Sequence, residues 1–205
     1  MALVETKVAD RIGYITFNRP EKLNSINDEM KAAIVGALRE FKANRDIWVV
    51  IFSGKGRAFC TGFDLSQMSP DEPTGADAFY SEILTLPQPT IAAIHGYCLA
   101  QGAGIALCSD MRVASEEVQM GWPQVLRGIA SVSGPSFAAH YFPLGIAFEH
   151  LFTGKFFDAK ELHRCFVANR VVPMDKLMPS AEELAREILA AAPLAVRAMK
   201  DATIQ

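Results

Sequence analysis

The sequence predicts one α/β domain over its 205 residues, and three observations carry that reading. Short β-rich runs alternate along the chain with runs of helical periodicity, the pattern of a parallel sheet packed by helices. Half of the residues are hydrophobic and 21% are charged, enough apolar material for one well-buried core at this length. No internal repeat, charge block or low-complexity tract divides the chain.

The elements follow in order. Ile12-Gly-Tyr-Ile-Thr-Phe17 is β-rich and closes at Asn18-Arg19-Pro20, so it reads as a strand ended by a turn. A helix starts at Asn27-Asp28-Glu29, because Met30, Ile34, Ala37, Leu38 and Phe41 recur at helical spacing and the acidic first turn suits the positive end of the helix dipole. Trp48 to Phe52 is a second strand, ended by Ser53-Gly54. Ser66 to Gly75 reads as a mobile loop, and Glu82 sits on a helix beyond it. Thr90-Ile-Ala-Ala-Ile94 is a third, buried strand, followed by a turn at Gly96 and a short apolar helix from about Gln101 to Cys108. Short strands follow near Met111 to Ala114 and Val118 to Met120.

From Gly128 to Phe148 the chain has no Asp, Glu, Lys or Arg, but Ser131, Ser133, Pro135, His140 and Pro143 argue against a lipid-spanning helix. A buried loop-plus-helix segment is expected there. The last third is mostly helical, with Ser180 and Glu183 as a capping-box signature and Pro193 opening the final helix.

Charge and cysteine usage exclude several classes. Formal charge is −3 with scattered basic residues, so no nucleic-acid partner is expected. The first ten residues lack the apolar core of a secretion signal, which points to a cytoplasmic protein with no membrane partner. Cys60, Cys98, Cys108 and Cys165 form no Cys-x-x-Cys pair and have no His at zinc-site spacing. Reduced, buried thiols and no metal are expected. Gly-x-Ser-x-Gly is absent, and Gly102-Ala103-Gly104 lacks the third glycine of a dinucleotide fingerprint.

Two glycine-marked stretches carry the chemistry: Phe59-Cys-Thr-Gly-Phe-Asp-Leu65 and Gly96-Tyr-Cys-Leu-Ala-Gln-Gly-Ala-Gly104. Each leads from a strand-like run toward a helix-like one and can present free backbone N–H groups at one point, the makings of an oxyanion hole. The bland alternative is that the glycines only permit tight turns and close packing. Together with Arg19-Pro20, Asn24-Ser25 and the run ending at Cys108-Ser109-Asp110, these stretches resemble the enoyl-CoA hydratase/isomerase (crotonase) family in order and spacing, from about residue 3 to the end.

The resemblance implies the crotonase fold, a spiral of ββα units over about residues 1–175. About residues 176–205 then start a C-terminal helical region that looks shortened. It also implies an acyl-CoA thioester as ligand, coenzyme A entering only as part of the substrate with no separate cofactor, and homotrimers or dimers of trimers.

Residue by residue, the resemblance puts the two oxyanion N–H groups on Phe63, after Gly62, and on Gln101, beside Gly102. Lys22, Leu23, Thr61, Asp64 and Leu65 fall on the CoA path, while Ser66 stands where some relatives have a phosphate-binding lysine. The two glutamates that activate water in hydratases fall on Gly104 and Gln124, neither of which exchanges a proton near neutral pH. Restoring glutamate at both positions is expected to raise hydration. Ser131 matches a pocket tyrosine in a decarboxylase branch, and Ser131 and Ser133 otherwise serve loop hydrogen bonding. Trp122 shapes the acyl pocket or is a core residue; Asp64 is a site acid or a turn cap; Glu82 is a candidate replacement base. His95 and His140 read as core histidines. The expected activity is that of a CoA-thioester lyase or isomerase with changed proton-transfer groups. The alternatives are a decarboxylase-type member, a non-catalytic acyl-CoA binder, or a serine hydrolase built from Ser133, His140 and an aspartate.

Overall fold

The computed structural model describes residues 2–67, 76–131 and 133–204, so most of the expected loop from Ser66 to Gly75 lies outside the described residues. Strand β1 (Val4–Ala9) and β2 (Ile12–Phe17) form an antiparallel hairpin. Its two-residue turn, Asp10-Arg11, has φ of 50° and 65°, the mirror-image turn that matches strand twist. Helix α1 (Asp28–Ala43) is capped by Asn27, whose side chain accepts from the Met30 N–H, and it buries Met30, Ile34, Ala37, Leu38 and Phe41, the expected face.

Three units then repeat. β3 (Val49–Gly54), β4 (Ala58–Cys60) and α2 (Ala76–Leu84) are followed by β5 (Thr90–Ile94), β6 (Tyr97–Leu99) and α3 (Gln101–Cys108). β7 (Met111–Ser115) and β8 (Gln119–Gly121) lead into a 3-10 turn, Pro123–Arg127. In each unit the first strand enters a larger sheet of order β1-β2-β3-β5-β7 and the second enters a smaller one of order β4-β6-β8. The chain therefore winds as the ββα spiral that the resemblance implies. α4 (Ser133–Tyr141), α5 (Leu144–Thr153), β9 (Phe157–Asp158) and α6 (Ala159–Arg164) follow. β9 joins the smaller sheet beside β8, and β10 (Arg170–Val172) closes the larger beside β7. Helices α7 (Leu177–Leu189) and α8 (Pro193–Ile204) end the chain.

Alternation along β3 explains the layering. Val50 and Phe52 face the main core with α1, whereas Val49 and Ile51 face Leu177, Ala181 and Ala185 of α7 on the other side of the sheet. Ser180 and Glu183 do not cap α7, which starts three residues earlier. The Ser180 carbonyl and the Glu183 carboxylate instead accept from Arg170, and the capping box is at Asp158 and Glu161. Nor is the uncharged segment buried as a whole: it forms α4 and the start of α5, with Leu144 53% and Phe148 43% exposed. Among the described residues no helix is long and apolar enough to cross a membrane.

Two buried polar residues fix the frame around the cavity described below. Asn24 is fully buried in the left-handed conformation that asparagine tolerates (φ 55°). Its Nδ2 donates to the Lys55, Ala58 and Phe59 carbonyls, and its Oδ1 accepts from the Arg19 N–H. Loss of that amide orphans four backbone groups, so Asn24→Ala is expected to cost about 2–4 kcal/mol in urea unfolding. Arg112 spends its guanidinium on backbone carbonyls at the far end of α3. It donates from Nη1 to Ala106 and Ser109 at 3.1 and 2.7 Å and from Nε to Val167 at 2.6 Å.

Candidate active site

The two glycine-marked bends touch. Gly62 has φ +101°, open only to glycine, and a Cβ there would lie 3.1 Å from the Gln101 nitrogen and 2.7 Å from the Ala100 Cβ. A Cβ on Gly102 would lie 2.2 Å from the Cys60 carbonyl oxygen. Glycine is required at both positions for the bends to approach this closely.

Local pairing aims the donors. The Ile26 N–H donates to the Gly62 carbonyl at 2.7 Å, and the Asp64 N–H donates to the Ile26 carbonyl at 2.9 Å. In such a parallel bridge the intervening residue turns its own N–H to the opposite side. The Phe63 N–H therefore faces away from Ile26. Gln101 is the first residue of α3, so its N–H has no acceptor inside the helix. Among the described residues neither N–H donates to any acceptor.

Both residues line one cavity of about 590 Å³. Of the expected site residues, Lys22, Thr61, Asp64, Leu65, Gln124 and Ser131 line it as well, joined by Ser66, Ser133 and Arg127. Leu23, Gly62, Gly102, Gly104 and Trp122 do not. Leu23 acts through its carbonyl, which accepts from the Thr61 hydroxyl at 3.2 Å, and Gly62 and Gly102 act as spacers between the bends. Trp122, 2% exposed, is a core residue. Its Nε1 donates to the Ser133 hydroxyl at 3.1 Å, and Ser133 in turn donates to the Ala100 carbonyl at 3.4 Å. That chain steadies the bend at Ala100, whose φ of 51° and ψ of −113° are otherwise unfavourable.

Position 104 differs from expectation for a steric reason. A Cβ on Gly104 would lie 2.0 Å from the Tyr80 Oη and 2.5 Å from its Cζ, so the phenol of α2 fills the space that a side chain at 104 would enter. Nothing in the sequence marks Tyr80, since it reads only as one apolar position of α2. Glu82 is not a replacement base: its carboxylate accepts from Arg39 of α1 at 2.8 and 2.9 Å and does not line the cavity.

Asp64 is a turn cap and ion-pair partner. Its Oδ1 accepts from the Ser66 N–H and hydroxyl, and its Oδ2 meets the Arg19 Nη1 at 2.7 Å. The Ser66 hydroxyl, and then Arg19, hold this carboxyl down at about 2. A depressed pKa contributes stability in full above the unfolded value, ~3.9, and loses it as pH falls through about 2. The difference in urea midpoint between wild type and Asp64→Asn is thus expected to hold steady from about pH 7 to about pH 5 and to shrink below about pH 4.

The remaining titratable candidates are structural. His95 is buried with Nε2 3.0 Å from the Gly56 carbonyl, and burial lowers its pKa. His140 is exposed at the C-terminal end of α4, seven residues and about 10 Å along the helix from Ser133, so no serine–histidine pair forms. Cys60 and Cys98 lie opposite each other on β4 and β6, and burial pushes Cys60 up to about 12 and Cys98 well up, which leaves both inert. Ser131 Oγ accepts from the Gly134 N–H at 3.1 Å and lies 3.4 Å from the Ser133 Oγ, both of them loop hydrogen bonds.

A model of the enoyl-CoA hydratase/isomerase family matches residues 7–205. An (E)-benzylidenesuccinyl-CoA hydratase of Thauera aromatica is 31% identical over 209 residues, which cover 98% of this chain and 82% of that protein. A carnitinyl-CoA dehydratase of Proteus mirabilis is 36% identical over 195 residues, covering 91% and 74%. Among solved structures, an enoyl-CoA hydratase subunit I from Geobacillus kaustophilus HTA426 superposes with a TM-score of 0.92 at 31% identity, over 98% of this chain and 80% of that one.

Proposed function

The chain belongs to the enoyl-CoA hydratase/isomerase family, and from that premise we propose that it holds an acyl-CoA thioester with the acyl oxygen between the Phe63 and Gln101 N–H groups. The observation that carries this reading is the contact of the two bends, which leaves two unengaged donors on one cavity. An enolate forming on the thioester gathers negative charge at that oxygen, where fixed donors and the N-terminus of α3 favour it. Lys22 and Arg127 supply positive charge on the same cavity, suited to the phosphates of coenzyme A. A cytoplasmic location and assembly as homotrimers or dimers of trimers belong to the same reading.

Gly104 and Gln124 offer no proton, and Asp64 is tied to Arg19, so the two-carboxylate chemistry of hydration is weak in this site. That favours a second reading in which only the enolate is needed. In a malonyl-type thioester the bond to the carboxylate breaks, its electron pair passes into the thioester enolate, carbon dioxide leaves, and water returns a proton to carbon. A chain that binds without turning over is the third outcome.

Titration with acetoacetyl-CoA, whose enolate absorbs in the near ultraviolet, tests the oxyanion site directly. The enolate band is expected to grow on binding at neutral pH. Binding with the spectrum of the free ligand overturns the placement of the acyl oxygen. Parallel assays of crotonyl-CoA and malonyl-CoA then separate the two reactions.

A further inference from the structure

Strands β4 and β6 carry the two bends, yet each is three residues long and the ladder between them is irregular. Ala58 lies opposite Tyr97 and Cys60 opposite Cys98, so two steps along β4 match one along β6 and Phe59 is the extra, bulged residue. All three residues of β4 are buried, so burial alone does not distinguish one register from the next. A slip of one residue would carry Phe63 about 3.3 Å along the strand direction relative to Gln101, more than two hydrogen bonds to one oxygen tolerate. The register therefore needs a fixed point outside the ladder.

His95, in the link from β5 to β6, supplies it. The residue is 4% exposed and does not line the cavity. Its Nε2 lies 3.0 Å from the carbonyl of Gly56, in the link from β3 to β4, and since a carbonyl only accepts, the ring proton is assigned to Nε2. Its own carbonyl accepts from the bulged Phe59 N–H at 3.0 Å. The two links press together here: a Cβ on Gly96, at φ +48°, would strike the Arg57 carbonyl. Ring and main chain of one residue thus grip the entry to β4 at two points. Phe59 precedes Phe63 by four residues, and His95 precedes Gln101 by six.

Resting on the oxyanion site proposed above, we propose that His95 is a positioning residue for it: the hydrogen bond from the imidazole to the Gly56 carbonyl pins the register of β4 against β6, and with it the spacing of the Phe63 and Gln101 N–H groups. The ring touches no substrate and moves no proton. A group that sets the spacing of two fixed donors matters to the step in which charge forms at the acyl oxygen, and little to binding of the coenzyme A portion.

The test compares His95→Leu, His95→Asn and His95→Gln by the enolate band of bound acetoacetyl-CoA and by calorimetric binding of coenzyme A, with circular dichroism reporting the fold. Leucine has no donor and the asparagine amide stops short of the Nε2 position, whereas the glutamine amide nitrogen reaches it. His95→Leu and His95→Asn are expected to lower the bound enolate about tenfold or more, with coenzyme A affinity within about twofold of wild type. His95→Gln is expected to recover about half of the band or more, a rescue that a loss of packing alone would not show. A full band in folded His95→Leu or His95→Asn overturns the inference, and so does an equal loss in folded His95→Gln. Should His95→Leu and His95→Asn not fold, nitrogen-15 NMR of the wild-type histidines decides: the ring signal absent from His95→Gln is expected to be protonated at Nε2, and a proton at Nδ1 overturns the inference. A wild type that binds acetoacetyl-CoA without the band loses the oxyanion placement and this inference with it. A wild-type band that survives in the variants removes this inference alone.

Discussion

Gly62→Ala is expected to lower thioester turnover about 10²–10³-fold, the measured worth of one oxyanion donor in acyl-transfer sites. Alanine at φ +101° is strained, and its methyl carbon would stand 2.7 Å from the Ala100 Cβ and 3.1 Å from the Gln101 nitrogen. One bend must move, and either movement shifts a donor away from the shared oxygen. The strain itself is about 1–3 kcal/mol, within what a stable domain absorbs, so the chain should fold while the site fails. If the wild type turns over no thioester of a broad panel, the acetoacetyl-CoA enolate band replaces turnover as the readout. A folded variant with undiminished turnover and a full band would sink the assignment.

The double replacement Gly104→Glu with Gln124→Glu, which the family pattern suggests as a route to hydration, is expected instead to unfold or severely weaken the protein. The Tyr80 phenol, 5% exposed and held edge-on by Phe79 and Phe137, occupies the path of any side chain at 104. Overpacking of this kind costs about 1–3 kcal/mol, and a carboxylate forced into the same space adds several more. A combined loss of more than about 4 kcal/mol is a large share of a typical 5–15 kcal/mol stability. Adding Tyr80→Ala should restore much of the urea midpoint by opening the space. Only in that triple variant is a gain in crotonyl-CoA hydration expected. A double mutant as stable as the wild type would show that Tyr80 yields easily and that position 104 is free.

Long, periodic elements were legible in the sequence because one face of each is buried. The five apolar positions of α1 and the strand Thr90–Ile94 appear in the structure where the spacing puts them. β4 and β6 have three residues each, too few for alternation to show, whereas β8, equally short, lies within one residue of the strand expected at Val118 to Met120. β1 went unread because its hairpin turns on Asp10-Arg11 in place of a glycine pair. The Ser180–Glu183 spacing misled because Pro179 is tolerated in a first helical turn, where its missing N–H costs nothing, so α7 could start at Leu177. At the candidate site the backbone elements could be read from glycines, whereas side-chain neighbours could not. Tyr80, Arg39 and Arg19 reach their partners across 24, 43 and 45 positions of chain, distances over which local pattern is silent.

The guanidinium of Arg112 sits against the last carbonyls of α3, the end of the helix opposite Gln101. By compensating the negative pole of an eight-residue helix, about 12 Å long, it leaves the positive pole electrically unopposed at the cavity. On the proposed placement of the acyl oxygen, Arg112 would help polarise the thioester from the far end of α3, and since that cation is sheltered from solvent, ions in the medium would do little to quench its influence.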